Sequence, residues 1–98
     1  MYVKIHEDKR TKRVVVAICD EDLIGKEFSE GNANLKVTER FYKGEKKSEE
    51  EVKKVLENAD NLNLVGKKTV ALAIKQKFVS KEFLIKIKGV PHAQVYAI

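Results

Sequence analysis

The chain has 98 residues, 43% of them hydrophobic and 36% charged. That length gives one compact core and leaves no room for two active-site lobes, and the composition is too apolar for intrinsic disorder. No apolar run approaches the ~18 residues that span a bilayer and the N-terminal stretch lacks a signal-peptide core, so no membrane association and a cytoplasmic location are expected. One cysteine and two histidines cannot supply an internal disulfide or a Cys/His zinc site, so no structural metal and no cofactor are expected.

Taken in chain order, Tyr2 to His6 alternates, with Val3 and Ile5 on one side and Tyr2, Lys4 and His6 on the other, the period of a half-buried strand. After the charged turn Glu7 to Lys12, the segment Arg13 to Cys19 is apolar on both sides, which predicts a central strand paired with the first as a hairpin. Asp20 to Gly31 then reads as a helical turn capped by Asp20 and followed by loop. Ala33 to Thr38 is a third short strand with Leu35 and Val37 facing inward. Ser48 stands three residues before Glu51, the capping-box spacing, and opens a helix that places Val52, Val55, Leu56 and Ala59 on one stripe. A second helix, about Lys67 to Lys77, is apolar around most of its circumference and is predicted to be the more buried of the two. Leu84 to Lys88 alternates again, Gly89, Val90 and Pro91 are read as the turn, and His92 to Ile98 as the final strand. The order suits an α+β fold: a mainly antiparallel sheet of about five strands with two helices packed on one face.

Charge is distributed unevenly. Twenty Lys and Arg face fifteen Asp and Glu for a net +5, but the excess lies entirely beyond Asp60, where seven lysines accompany only Glu82. Such a field attracts polyanions. Lysine and glutamate enrichment is equally the habit of thermophile surfaces.

Parity adds a further expectation. If the terminal strands are neighbours, Tyr2, Lys4 and His6 share one uncovered face with His92, Gln94 and Tyr96, and Lys86 and Lys88 extend it. Rings that stack bases, lysines that meet phosphates and an amide that reads a base edge are the ingredients of single-stranded RNA recognition. An ordinary one-sided sheet also exposes its polar alternates. Gly66, Lys67 and Lys68 open the second helix and bring amides, a dipole and ammonium groups to one place, as an anion site does. They do not make a nucleotide-binding P-loop, which needs Gly at 61 and Ser or Thr at 68 where this chain has Asn61 and Lys68. Cys19, ending an apolar strand, reads as a small buried hydrophobe. His92, set after a proline turn, reads as a structural hydrogen-bonder or, with Asp20, as an acid–base pair.

The strings MYVKIH, VVVAICDEDLIGKEFSEG, ADNLNLVGKKTVALAI and IKGVPHAQV, in that order, resemble the archaeal domain-of-unknown-function family 424, with GVPHAQ and NLVG the most specific parts. The resemblance spans nearly the whole chain. It implies a small, stand-alone, archaeal, cytosolic protein with a loose tie to RNA or translation. Its recurrent strings map onto Cys19, Asp20, Gly25, Lys26, Asn63, Gly66, Gly89, Pro91, His92 and Gln94. The resulting expectation is a non-catalytic RNA-binding accessory protein; the alternatives are a protein-interaction module, partnering another protein or a second copy, and a small enzyme using His92 and Asp20.

Overall fold

The computed structural model describes residues 1–96. The chain forms, in order, β1 (Tyr2–Asp8), β2 (Arg13–Cys19), a 3-10 turn (Glu21–Leu23), β3 (Glu27–Glu30), β4 (Ala33–Lys36), α1 (Glu39–Tyr42), β5 (Glu45–Lys46), α2 (Glu49–Asn58), β6 (Asn61–Val65), α3 (Lys67–Lys75), a second 3-10 turn (Lys81–Phe83), β7 (Ile85–Ile87) and β8 (Val90–Tyr96). The fold is α+β. Its main sheet has six strands in the order β5-β1-β2-β6-β8-β7, and β3 and β4 form a separate two-stranded sheet.

The sheet is mixed rather than mainly antiparallel, because β2 and β6 pair in parallel from Val15 opposite Asn61 to Cys19 opposite Val65. That pairing sets the position of everything else. β6 inserts between β2 and β8, so the terminal strands are not neighbours: β1 and β8 stand three strand spacings apart, roughly 14 Å.

Local chemistry explains most elements. β2 is buried from Val16 to Cys19 on both faces, as a central strand requires. The α2 capping box is complete: Ser48 Oγ accepts from Glu51 N at 3.2 Å and Glu51 Oε1 accepts from Ser48 N at 3.0 Å. Val52 and Leu56 are the buried stripe of α2, while α3 buries Thr69, Val70, Leu72 and Ala73 and is the more enclosed helix. Lys88 and Gly89 both have positive φ, the signature of a tight two-residue hairpin turn, so the β7–β8 turn precedes Val90 and Pro91, which already belong to β8. The predicted final strand continues into residues 97–98, which lie outside the described residues.

Two layers cover the sheet. On one face, Val3, Val16, Ile18, Leu62, Leu64 and Ala93 pack with Val52 and Leu56 of α2 and Val70, Leu72 and Ala73 of α3. On the other, Ala17, Cys19, Val65 and Ile87 pack beneath Leu35 and Val37, which flank the end of the β3–β4 hairpin, and Tyr42 of α1. The expected uncovered face therefore carries a lid along most of its length, made from the segment read as loop before Ala33 and from the short α1, whose Thr38 cap (Phe41 N to Thr38 Oγ1, 3.1 Å) gave no hydrophobic period to read.

Candidate functional site

Parity holds and adjacency does not. Cross-strand pairing places Tyr2, Lys4 and His6 on the same face as Cys19, Ala17 and Val15, and, through β6, as His92, Gln94 and Tyr96. The six expected residues do share a face, but β2 and β6 run between the two groups and the lid covers the first. Tyr2 packs against the core beneath the lid. Lys4 Nζ donates to the Arg40 carbonyl. His6 Nε2 donates to the Phe41 carbonyl at 2.7 Å, with its ring stacked on Phe41 at a 4.4 Å centroid distance. Both side chains thus satisfy carbonyls that α1 leaves unpaired. Lys86 pairs opposite Pro91 and so projects to the helix side, away from Gln94 and Tyr96, while Lys88 sits in the β7–β8 turn.

The Gly66-Lys67-Lys68 site is filled from within. Asp20 does not cap the turn that follows it; its side chain makes no hydrogen bond there. The carboxylate lies across the parallel pair, taking Thr69 N and Thr69 Oγ1 on Oδ1, each at 2.8 Å, and Lys68 N on Oδ2 at 3.0 Å. Asp20 and Thr69 are both buried. The chain thus supplies its own anion to the positive end of α3, and Lys67 and Lys68 stay exposed at the end of the sheet opposite Tyr96.

His92 is half-buried and donates from Nδ1 to the Leu64 carbonyl at 3.0 Å. No hydrogen bond links it to Asp20, whose oxygens are engaged elsewhere, so the acid–base pair is not assembled. Burial holds the imidazole below its ordinary pKa, with the Leu64 carbonyl partly opposing that shift. The unfolded chain therefore takes up a proton at this site before the folded one does. Stability is fully present above the ordinary histidine value and falls as pH drops through it toward the folded value. Denaturant midpoints measured from pH 8 to pH 5 should decline over that window, and His92→Gln should flatten the decline.

Cys19 is enclosed, and burial, reinforced by the neighbouring Asp20 charge, pushes its thiol up to about 12. It is held as a neutral thiol, not a nucleophile. Iodoacetamide at pH 8 should leave the native chain unlabelled and label it fully once denaturant unfolds it. Tyr42, whose hydroxyl donates to Asn63 Oδ1 at 2.6 Å, is likewise raised by burial. Among the described residues every buried side-chain polar atom has a partner, and no three metal-ligating side chains gather together.

What remains open is the far end of β8. β7 pairs only with Val90 to His92, and no strand flanks the outer edge from Ala93 to Tyr96 among the described residues. The chain from Phe78 to Phe83 stands off from that edge, leaving a cleft of about 950 Å³ lined by Ile74, Phe78, Val95 and Phe83, with Lys77 and Lys81 on its wall. On the lid side of the same edge a second cleft, about 520 Å³, is lined by Ile85, Ile87, His92, Gln94 and Tyr96. Phe83, Ile85 and Tyr96 are 74%, 57% and 65% exposed. Tyr96 donates its hydroxyl to Gln94 Oε1 at 3.0 Å, leaving the amide NH2 of Gln94 outward. Sequence reasoning found Gln94 and Tyr96 by alternation but did not single out Phe83, which lies just before the alternating segment Leu84 to Lys88, or Ile85 within it. The signal available was the brevity of the Ile85–Ile87 strand against β8.

The family model described as Protein of unknown function (DUF424) matches residues 8–98, and the chain belongs to that family. Its fold is similar to that of an uncharacterized conserved protein from Methanopyrus kandleri, known from a crystal structure, with a TM-score of 0.78 and 24% identity over 99% of this chain and 90% of that one. No curated protein matches the chain. No helix among the described residues is long and apolar enough to cross a membrane.

Proposed function

We propose that the chain is a non-catalytic binding module that accepts an extended segment of another protein along the open end of β8. The observation that carries this reading is the bare strand edge from Ala93 to Tyr96 lying between two apolar clefts. Strand addition uses this arrangement: main-chain groups on the edge give affinity, and pockets on both faces take alternate side chains. Proteins normally cover or charge such an edge; here Lys77 and Lys81 stand near it, yet Phe83, Ile85 and Tyr96 still leave exposed apolar surface beside it.

A second reading, an RNA-binding accessory protein, is supported by the exposed rings of Phe83 and Tyr96, the outward Gln94 amide and the nearby Lys77 and Lys81, a set suited to stacked, unpaired bases. One experiment separates the two. Decapeptides selected from a random display library against the full chain are added during amide hydrogen exchange; slowed exchange at Gln94 to Tyr96 supports strand addition. A uridine dodecamer is titrated in parallel at two salt concentrations. Salt-sensitive oligonucleotide binding, with no selected peptide reaching the β8 edge, supports the RNA reading instead.

A further inference from the structure

We infer that the segment received along β8 belongs to a different protein and carries a short, continuous apolar core flanked by acidic residues. This rests on the strand-addition reading and specifies its ligand. Side chains of an added strand alternate between the two faces of the sheet. On the helix side they meet Ile74, Phe78 and Val95; on the lid side they meet Ile85 and Tyr96. Both sides are predominantly apolar, with Asn34, His92 and Gln94 the polar groups on the lid side, so an alternating polar–apolar segment would set a polar group against mostly apolar surface on one side at a cost. A run of consecutive apolar residues satisfies both. The edge from Ala93 to Tyr96 accommodates about four residues, roughly 13 Å at strand rise.

The surroundings set the charge. Lys77 and Lys81 stand on the cleft wall with Glu82 the single acid there, and Lys86 and Lys88 follow on the β7 side, where Glu30 accepts from the Lys88 amide at 2.6 Å, so lysines outnumber acids around the edge. Acidic flanks complement this rim. A second copy of the chain would bring the same lysines against it, and like charges facing across a contact oppose association. Two apolar clefts and a main-chain edge also offer little to a phosphate backbone, which has no ladder of N–H and C=O groups to pair.

The probe is a fluorescent decapeptide with a Val-Phe-Ile-Val core and three acidic residues on each side, titrated against the full chain by anisotropy. The acidic peptide is expected to bind at least ~10-fold more tightly than a lysine-flanked version, and Lys81→Glu with Lys86→Glu should erase that preference. Methylating one alternate pair of core amides should weaken binding about 30-fold, since those amides face β8, while methylating the other pair should change it little. Phe83→Ser, an exposed position, should weaken binding without lowering the melting temperature. Equal binding of acidic and basic peptides, with the alternate methylation effect kept, overturns the charge inference and leaves strand addition standing. Binding insensitive to methylation, or no peptide binding, overturns both. So does a concentration-dependent dimer in sedimentation equilibrium that Tyr96→Asp dissolves, which would give the edge to a second copy.

Discussion

Replacing Gly66 by alanine is expected to lower the unfolding free energy by about 4 kcal/mol, from a backbone term and a steric term. Gly66 has φ 112° and ψ 154°, a region essentially restricted to glycine, and any side chain there carries ~1–3 kcal/mol of strain. A Cβ at this position would also land on the Asp20 carboxyl carbon. That carboxylate cannot swing clear at little cost, since three donors hold it in a buried place. For a domain of this length such a loss lowers the melting temperature by roughly 15–30 °C. Gly25→Ala is the control: its φ is also positive, at 84°, but nothing lies within 4 Å of the added carbon, so only the backbone term should appear. Equal losses at the two glycines would show that Asp20 does not press on Gly66.

Asp20→Ala should cost about 3 kcal/mol, because it strands the Thr69 amide and hydroxyl and the Lys68 amide at the start of a buried helix. Asp20→Asn keeps an acceptor for Thr69 but loses the charge and turns an N–H toward one amide, so an intermediate loss of ~1–2 kcal/mol is expected. The double variant is the sharper measurement. Once Asp20 is alanine, the space beside Gly66 is open, and Gly66→Ala should add only its backbone strain. The two single losses should then exceed the double loss by about 1–2 kcal/mol in urea titrations. Strict additivity would mean that the carboxylate and the glycine act independently. This cluster joins the end of β2 to the start of α3 across 48 residues of sequence, so it holds the parallel pairing that orders the sheet.

What could be read from the sequence was local. Alternation at Tyr2 to His6, the double-sided apolar run of β2 and the Ser48–Glu51 box each depend on residues a few positions apart, and each element is present. The face shared by Tyr2, Lys4, His6, His92, Gln94 and Tyr96 was legible for the same reason, since side-chain parity is carried along each strand. Strand order is not carried that way. Asn61 to Val65 alternates Leu62 and Leu64 with Asn61 and Asn63, a strand signal compressed into five residues between two helices, and read as a connector it removes β6 from between the chain ends. Nothing near Val15 or Asn61 announces their pairing. Asp20 likewise showed the habit of a helix cap, but its helix begins 47 residues later. The inward side of Leu35 and Val37 was legible from alternation, but not that their strand leaves the main sheet to cover it, and Phe28 and Tyr42 pack there through tertiary contact and not through any period of their own.

The placement of β6 also bears on how the chain is made. During synthesis from the N-terminus, β1 and β2 can pair as soon as they emerge, yet the other edge of β2 must wait for residues 61–65. Until then a nascent chain presents Val16 to Cys19 as an apolar ribbon beside the ribosome, a surface that invites chaperone capture or association between neighbouring chains. Stalled chains that have exposed β2 but still hold residues 61–65 inside the ribosome should therefore crosslink to nascent-chain holdases, and chains long enough to expose β6 as well should be released from them.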